Sequence, residues 1–391
     1  MGGAGNDGGD QGWAMSRGRI AVLVSNDLSF DQRVRKTCSS LQKAGFEPVL
    51  IGRRMARSDA HSIDRPYSTR RMWLTLNSGP GFYLLLQRGL WRELNRCHAE
   101  GELKAIWAND LDTLWPAIRG GKKWGLDVAY DSHEWFTEAE GLKGNPIRKR
   151  IWERWEQRCF RHLRRMLTVN EAIASAYREK GLDVEVVPNV PETQAQAKPM
   201  PRIELAWPEK KTMLLMQGAF MDKDRGALDA VRALVHLPEV HLALIGSGPE
   251  WNAASVVASD LGVRDRLHLH DRMPFDRLRR CTAAADIGLS LDRPTVDNFR
   301  FSLPNKLFDY VHAGLPVVCT DLPVAGRFVQ EEKLGAVVEA TNEGDRSIKT
   351  AEAVQVVMRA MPDPEHLAEV ASRYHWEVHA HKLCAAIHAL R

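Results

Sequence analysis

The sequence predicts an α/β protein of two Rossmann-like domains, on three observations. Short continuous apolar runs alternate with stretches whose apolar residues recur at helical spacing, the pattern of parallel strands buried on both faces by crossover helices. This alternation starts near residue 20, breaks off, and starts again at 212. The break, 193–211, is rich in Gln, Pro and Lys and has no apolar period, so it reads as a connection. At 391 residues, 44% hydrophobic and 27% charged, the chain is globular in composition and too long for one comfortable core. The expected division is a disordered tail over 1–18, a first domain over 19–192, the connection 193–211, a second domain over 212–372 and a C-terminal helix over 373–391.

The first domain opens with the apolar run Ile20–Ser25, which leads through a loop into a helix ended by Gly45, with Val34, Cys38 and Leu41 as its buried stripe. A second strand over Pro48–Ile51 completes a βαβ unit, whose loop lies at the sheet edge where ligands collect and carries Asp27, Asp31, Arg33 and Lys36. An apolar helix over Phe82–Leu94 and a strand over Ala105–Ala108 follow. The strand Val128–Asp131 then delivers His133 and Glu134 to the C-terminal end of the sheet, where polar groups usually face a ligand. The run Ile147–Leu167 reads as a basic amphipathic helix, suited either to packing on the sheet or to resting on an anionic membrane. Strands over Met166–Val169 and Val184–Val187 close this half.

In the second half, strands are expected over Met213–Met216, Val240–Ile245, Leu267–His270 and Ile287–Ser290. Gly218, Gly246 and Gly248 follow strands and let backbone approach a ligand closely. The segment SLPNKLFDYVHAGLPVVCTDLP, Ser302–Pro323, reads as loop, helix, turn and buried strand. Ser302 is placed to cap the helix, Pro304 suits its first turn, Leu307, Phe308 and Val311 form its apolar stripe, and Gly314 stops it before the run Leu315–Cys319. Lys306 and Asp309, three apart, share a face beside backbone N–H groups whose dipole favours an anion. A cation for phosphate next to a carboxylate for vicinal hydroxyls describes what a nucleotide needs. An ordinary amphipathic helix with a surface Lys–Asp pair fits the same pattern.

The bulk numbers exclude several classes. A net charge of +4 is small for this length and gives no case for nucleic acid, though it suits an anionic substrate. The six cysteines are scattered, with no close pair for a metal clamp or redox motif, so a reducing, cytoplasmic setting is expected. The Gly-rich, polar opening has no apolar signal core, and no segment approaches the roughly 20 apolar residues of a membrane span.

The stretch SLPNKLFDY followed by AGLPVV resembles the signature of the GT-B glycosyltransferases of family four, and the similarity runs in order from about residue 20 to the C-terminus through NDLDTL, His133 and VVPNVPE. This resemblance implies two domains facing a central cleft, a C-terminal helix crossing back to the first, and retaining sugar transfer from a nucleoside-diphosphate sugar to a glycan or lipid-linked acceptor. It implies His133, Arg225 and Lys306 as catalytic groups, and Gly218, Gly246, Gly248, Asp271, Arg272, Met273, Asn305, Lys306 and Asp309 as the donor site. Asp31, Arg33 and Glu134 fall on its acceptor side. In the family a Glu, seven residues and a second Glu hold the donor; Asp309 takes the second position, but Phe301 takes the first and offers no hydrogen bond to a sugar hydroxyl. The Gly-rich turn usual in the family's first loop is also missing.

No metal or other cofactor is expected. Asp110 and Asp112 resemble the Asp-x-Asp clasp of a different glycosyltransferase fold, yet helix starts commonly carry Asp for the dipole. The expected place is the cytoplasm, with peripheral contact at the inner face of an anionic membrane through the basic helix. Two other readings fit the same shape: a sugar-nucleotide epimerase, which needs no acceptor groove, and a nucleotide-sugar-binding protein without activity.

Overall fold

A computed structural model describes residues 17–28, 31–55, 65–193, 196–339 and 344–388. Most of the expected tail therefore lies outside the described residues. The chain packs into two compact units, one made of the residues up to Asp131 with those from Leu383 on, the other of Ser132–Lys382.

Among the described residues thirteen strands form two sheets, of seven and six strands. The first sheet contains β1 (Arg19–Asp27), β2 (Glu47–Arg54), β3 (Ser68–Trp73), β4 (Leu103–Asn109), β5 (Asp127–Ser132), β6 (Arg165–Thr168) and β7 (Asp183–Val186), in the order β3-β2-β1-β4-β5-β6-β7. The second contains β8 (Thr212–Gly218), β9 (Val240–Gly246), β10 (Leu267–Asp271), β11 (Ile287–Ser290), β12 (Val317–Thr320) and β13 (Gly335–Val338), in the order β10-β9-β8-β11-β12-β13. The pairings within β1–β5, within β6–β7 and within β8–β13 are parallel. Both orders turn back after the first strand, which is the doubly wound arrangement in which ligands gather at the C-terminal strand ends beside the reversal. In the second sheet that place lies between β8 and β11.

Burial explains why these runs are strands. Ile20, Ala21, Val22 and Leu23 of β1 are all 0% exposed, as expected where helices cover both faces. In the second sheet successive residues divide between two apolar layers: Leu214 and Met216 pack with Leu242 and Leu244, whereas Met213 and Leu215 pack with Ala243 and Ile245. The helix Asn305–His312 covers the second layer with Leu307, Tyr310 and Val311.

Several local expectations are corrected. Ser302 does not cap this helix: the segment Asp297–Arg300 is itself a helical turn, and the Ser302 hydroxyl donates to the Phe299 carbonyl over 2.9 Å. Pro304 occupies the cap position and supplies no side-chain hydrogen bond. The strand expected from Leu315 starts at Val317, because the Leu315 amide closes the helix by donating to Tyr310 O (2.9 Å) and Pro316 has no amide hydrogen. The basic helix runs Pro146–Phe160 rather than to 167, ending in turn bonds from His162 and Leu163 to Cys159 and Phe160. The edge strand β3 was not legible in the sequence: Ser-Thr-Arg-Arg-Met-Trp is too polar to read as a buried strand.

The last helix, Trp376–His388, reaches β7 and the segment after it. The Trp376 amide donates to Pro191 O (2.7 Å), the Lys382 ammonium donates to Val186 O (3.2 Å), and it pairs with Glu185. Cys38, Cys97, Cys159, Cys281 and Cys319 are free and buried. Among the described residues no helix is long and apolar enough to cross a membrane.

Candidate active site

The strand ends β8 and β11 and the helix Asn305–His312 are tied together by one side chain. The Tyr310 hydroxyl accepts from the Gln217 amide (3.2 Å) and donates to the Leu289 carbonyl (3.1 Å). The helix comes this close because Gly288 of β11 has no side chain: a Cβ there would lie 2.3 Å from the Tyr310 ring. The first turn of the helix, carrying Asn305 and Lys306, is thereby fixed at the sheet's reversal point.

On that scaffold Lys306 and Asp309 do share a face, but they turn to different partners. The Lys306 ammonium lies 3.2 Å from Asp292 Oδ2, and Arg225 donates to Asp292 Oδ1 over 3.1 Å. Asp292 is 1% exposed and also accepts the Ser290 hydroxyl (3.2 Å). Burial works to raise its carboxyl, but Lys306 and then Arg225 hold it below the ordinary carboxylate range. Burial pulls Lys306 down, against Asp292, and Arg225 is held up by Asp292 against burial. Two cations thus meet one anion, and Arg225 keeps 34% of its side chain exposed over the Phe299 ring.

Asp309 accepts from the Gln217 side-chain amide (3.0 Å), whose carbonyl in turn accepts from Thr282 (2.8 Å). It lines a small pocket with Gln217, Thr282, Phe275, Arg279 and His312. A carboxylate at a pocket wall offers two oxygens with several lone pairs, the acceptor type that hydroxyl groups need.

The glycines behave differently from one another. A Cβ at Gly218 would meet nothing closer than 4.0 Å, so the backbone is open there. At Gly246 it would lie 2.0 Å from Gly218 O, and at Gly248, with φ +125°, 2.6 Å from the Met221 backbone. The close approach is within the protein itself: between the paired ends of β8 and β9 at Gly246, and between the loops that follow them at Gly248. Asp271 and Arg272, at the end of β10, are exposed, whereas Met273 turns inward to 3.5 Å from Cys281 Sγ.

His133 is half-buried in the turn after β5. The turn is pinned by the Ser132 hydroxyl donating to Glu134 O (2.8 Å), and the Asn298 amide reaches it, donating to Glu134 Oε2 (3.0 Å) while its carbonyl accepts the Trp135 amide (2.9 Å). Asp31 is the cap of helix Gln32–Lys43, accepting from the Val34 amide and from Asn26. Arg33 is 2% exposed and forks onto Asp131 with 2.7 and 3.0 Å bonds.

Asp110 precedes helix Leu111–Trp124 with φ 59°, and Asp112 is buried in its first turn. Among the described residues a different trio, Glu140, Asp222 and Asp224, brings carboxylate oxygens within 4.8 Å of one another. Burial, then the two aspartates, raise the Glu140 carboxyl. Sequence reasoning missed Asp292, Gln217 and Tyr310. The signal for Asp292 was present: an acid immediately after the apolar run of β11, at the end of the sheet where ligands bind.

Residues 31–190 match the family described as glycosyl transferase 4-like domain, and residues 212–359 match glycosyl transferases group 1. The lipopolysaccharide core biosynthesis glycosyltransferase LpsD of Rhizobium meliloti (strain 1021) is 29% identical over 111 residues, 28% of this chain and 32% of that protein. Among solved structures, sucrose-phosphate synthase from Thermosynechococcus elongatus superposes with a TM-score of 0.74 at 16% identity, covering 96% of this chain and 99% of the other. Anabaena HepE, solved in complex with UDP-glucose, gives 0.71 at 14% identity, covering 95% and 99%. With both halves matched in order and the fold shared over nearly the whole chain, this protein belongs to the GT-B glycosyltransferases of family four and is an enzyme of glycosyl transfer.

Proposed function

We propose that the chain moves a sugar, with retention of configuration, from a nucleoside-diphosphate sugar to a glycan or lipid-linked acceptor. The observation that carries this reading is the convergence of Lys306 and Arg225 on Asp292, with Asp309 one helical turn away. Lys306, Arg225 and the amides of Gly218 and Asn305 take the diphosphate, Asp309 takes the ribose, and the loop Asp271–Met273 takes the base. As the sugar–phosphate bond breaks, negative charge grows on the diphosphate, and fixed cations in a water-poor site gain most where charge develops. His133 contacts the sugar near the reacting carbon, Glu134 lies on the acceptor side, and the acceptor attacks the face the diphosphate leaves. Asp31 and, through Asp131, Arg33 serve the acceptor. No metal enters this account, since two cations and a helix amino end neutralise the diphosphate.

The basic helix supports a peripheral membrane contact for the same enzyme. Ile147 and Ile151, 71% and 60% exposed, stand one turn apart among Arg148, Arg150 and Arg154. Apolar side chains flanked by cations suit an anionic lipid surface, each cation adding about 1 kcal/mol at most. Liposomes with and without anionic lipid, floated in low salt, test it; no binding to the anionic vesicles refutes it.

The enzyme reading is tested by titrating a panel of nucleotide sugars, then assaying the binders for transfer with EDTA present. Transfer with retention is the expected result, and Lys306→Ala and Arg225→Ala should each lower kcat on the order of 10² to 10³-fold. Conversion of the donor alone to an epimer, or binding with neither transfer nor hydrolysis, overturns the proposal. Activity lost in EDTA and restored by Mg²⁺ or Mn²⁺ removes its metal-independent part.

A further inference from the structure

Asp292 is the buried partner of two cations, and the loop that carries it is firmly held. The segment Leu291–Arg293 is held on several sides. The Arg293 amide donates to Asp224 O (2.8 Å), and its guanidinium donates to both Asp229 oxygens (3.0 and 2.9 Å). Arg346 donates to Leu291 O (2.9 Å) and to Asp229 Oδ2 (2.9 Å). Arg346, Asp229 and Asp292 are each 3% exposed or less. Asp292 therefore cannot swing away when a ligand reaches Lys306 and Arg225, and its negative charge stays beside whatever those cations hold.

We propose that Asp292 is a positioning residue that sets product release: it orients Lys306 and Arg225 and, as a fixed anion between them, weakens their hold on the departed diphosphate. The inference rests on the reading of Lys306 and Arg225 as phosphate ligands. Without ligand, Asp292 satisfies two partly buried cations, so an anion entering the site must compete for them. With ligand, phosphate and Asp292 repel one another across the same two side chains. Both effects oppose binding, and they oppose it more for the product. Breaking the sugar–phosphate bond leaves a free terminal phosphate carrying more negative charge than the donor's diester, so the fixed anion discriminates in favour of donor and against product. Without it the two cations bind diphosphate more tightly and the enzyme holds its own product.

The test compares inorganic pyrophosphate and UDP binding by calorimetry in the full-length wild type, Asp292→Asn and Lys306→Ala. Asp292→Asn, which keeps shape and loses charge, should bind pyrophosphate about tenfold tighter. Its steady-state turnover should fall while the first turnover, followed by rapid quench, stays fast. A purely structural role predicts the opposite sign, since a disordered site binds more weakly. Equal or weaker pyrophosphate binding by Asp292→Asn, with Lys306→Ala weakening it, overturns the inference and leaves the phosphate site standing. If Lys306→Ala has no effect, or the wild type binds neither probe, the phosphate reading and the inference fall together. Should unpaired cations keep Asp292→Asn from folding, Asp292→Asn with Lys306→Met, which restores the charge balance, is compared with Lys306→Met alone. Tighter binding supports the proposal, and equal or weaker binding refutes it.

Discussion

Gln217 donates its side-chain amide to Asp309 over 3.0 Å and so joins the end of β8 to the first turns of the helix Asn305–His312. Gln217 is 4% exposed and fixed from behind by Thr282, so Asp309 is aimed by a rigid donor. An ionised carboxylate oriented in this way accepts vicinal hydroxyls with charge-assisted bonds.

Asp309→Asn should therefore weaken nucleoside diphosphate binding by roughly 1.5 to 3 kcal/mol, the worth of hydrogen bonds to a charged group. The loss should shrink when the ligand carries 2′-deoxyribose. Calorimetry with both nucleotides checks this, and equal wild-type affinity for ribose and deoxyribose would remove Asp309 from the ribose site.

Arg33 and Asp131 form a buried fork, both 2% exposed or less, so Arg33→Leu takes the guanidinium away from a buried carboxylate. The expected loss of stability is about 3 to 5 kcal/mol, and the double variant Arg33→Leu, Asp131→Leu should lose less than the two singles together. Urea unfolding measures both. Unchanged stability with a raised KM for acceptor would instead make Arg33 a direct acceptor contact.

At Gly246 a methyl group would meet Gly218 O at 2.0 Å, against backbone that has little room to move. Gly246→Ala should destabilise the protein by about 1 to 3 kcal/mol through overpacking, with no ligand present. Thermal melting of the ligand-free variant checks it; an unchanged melting temperature with weakened nucleotide binding would show that Gly246 faces the donor.

His268, 3.1 Å from the His241 ring nitrogen, is pushed down to about 4 by burial, then by His241 and His270. The unfolded chain takes up this proton as pH falls through the ordinary 6.5, whereas the folded chain does so only near 4. Stability present above pH 6.5 is thus lost progressively down to about pH 4. Because the group is partly exposed, the loss is on the order of 1 kcal/mol. His268→Gln should show a smaller drop in Tm between neutral pH and about pH 5, and an equal drop would assign the acid sensitivity elsewhere.

The sequence by itself determined the elements that repeat a simple period. Ile20–Leu23, Met213–Met216 and Leu242–Ile245 had to be buried strands, because uninterrupted apolar runs of that length are stable only with cover on both faces. The helix beginning at Asn305, its apolar stripe and the shared face of Lys306 and Asp309 were equally legible, since spacing along one helix fixes which side chains are neighbours. What those side chains touch was not. Asp292 lies 14 residues before Lys306, and Gln217 lies 92 before Asp309. Such partners meet only because the sheet places β8 beside β11 and Gly288 lets Tyr310 close on both. Two local contacts, each between residues three apart, also differ from the sequence reading: Ser302 bonds to Phe299 instead of capping a helix, and Asp31 caps one. Local pattern decides what a segment is, whereas strand order and close packing, which join residues far apart in the chain, decide which polar groups find each other.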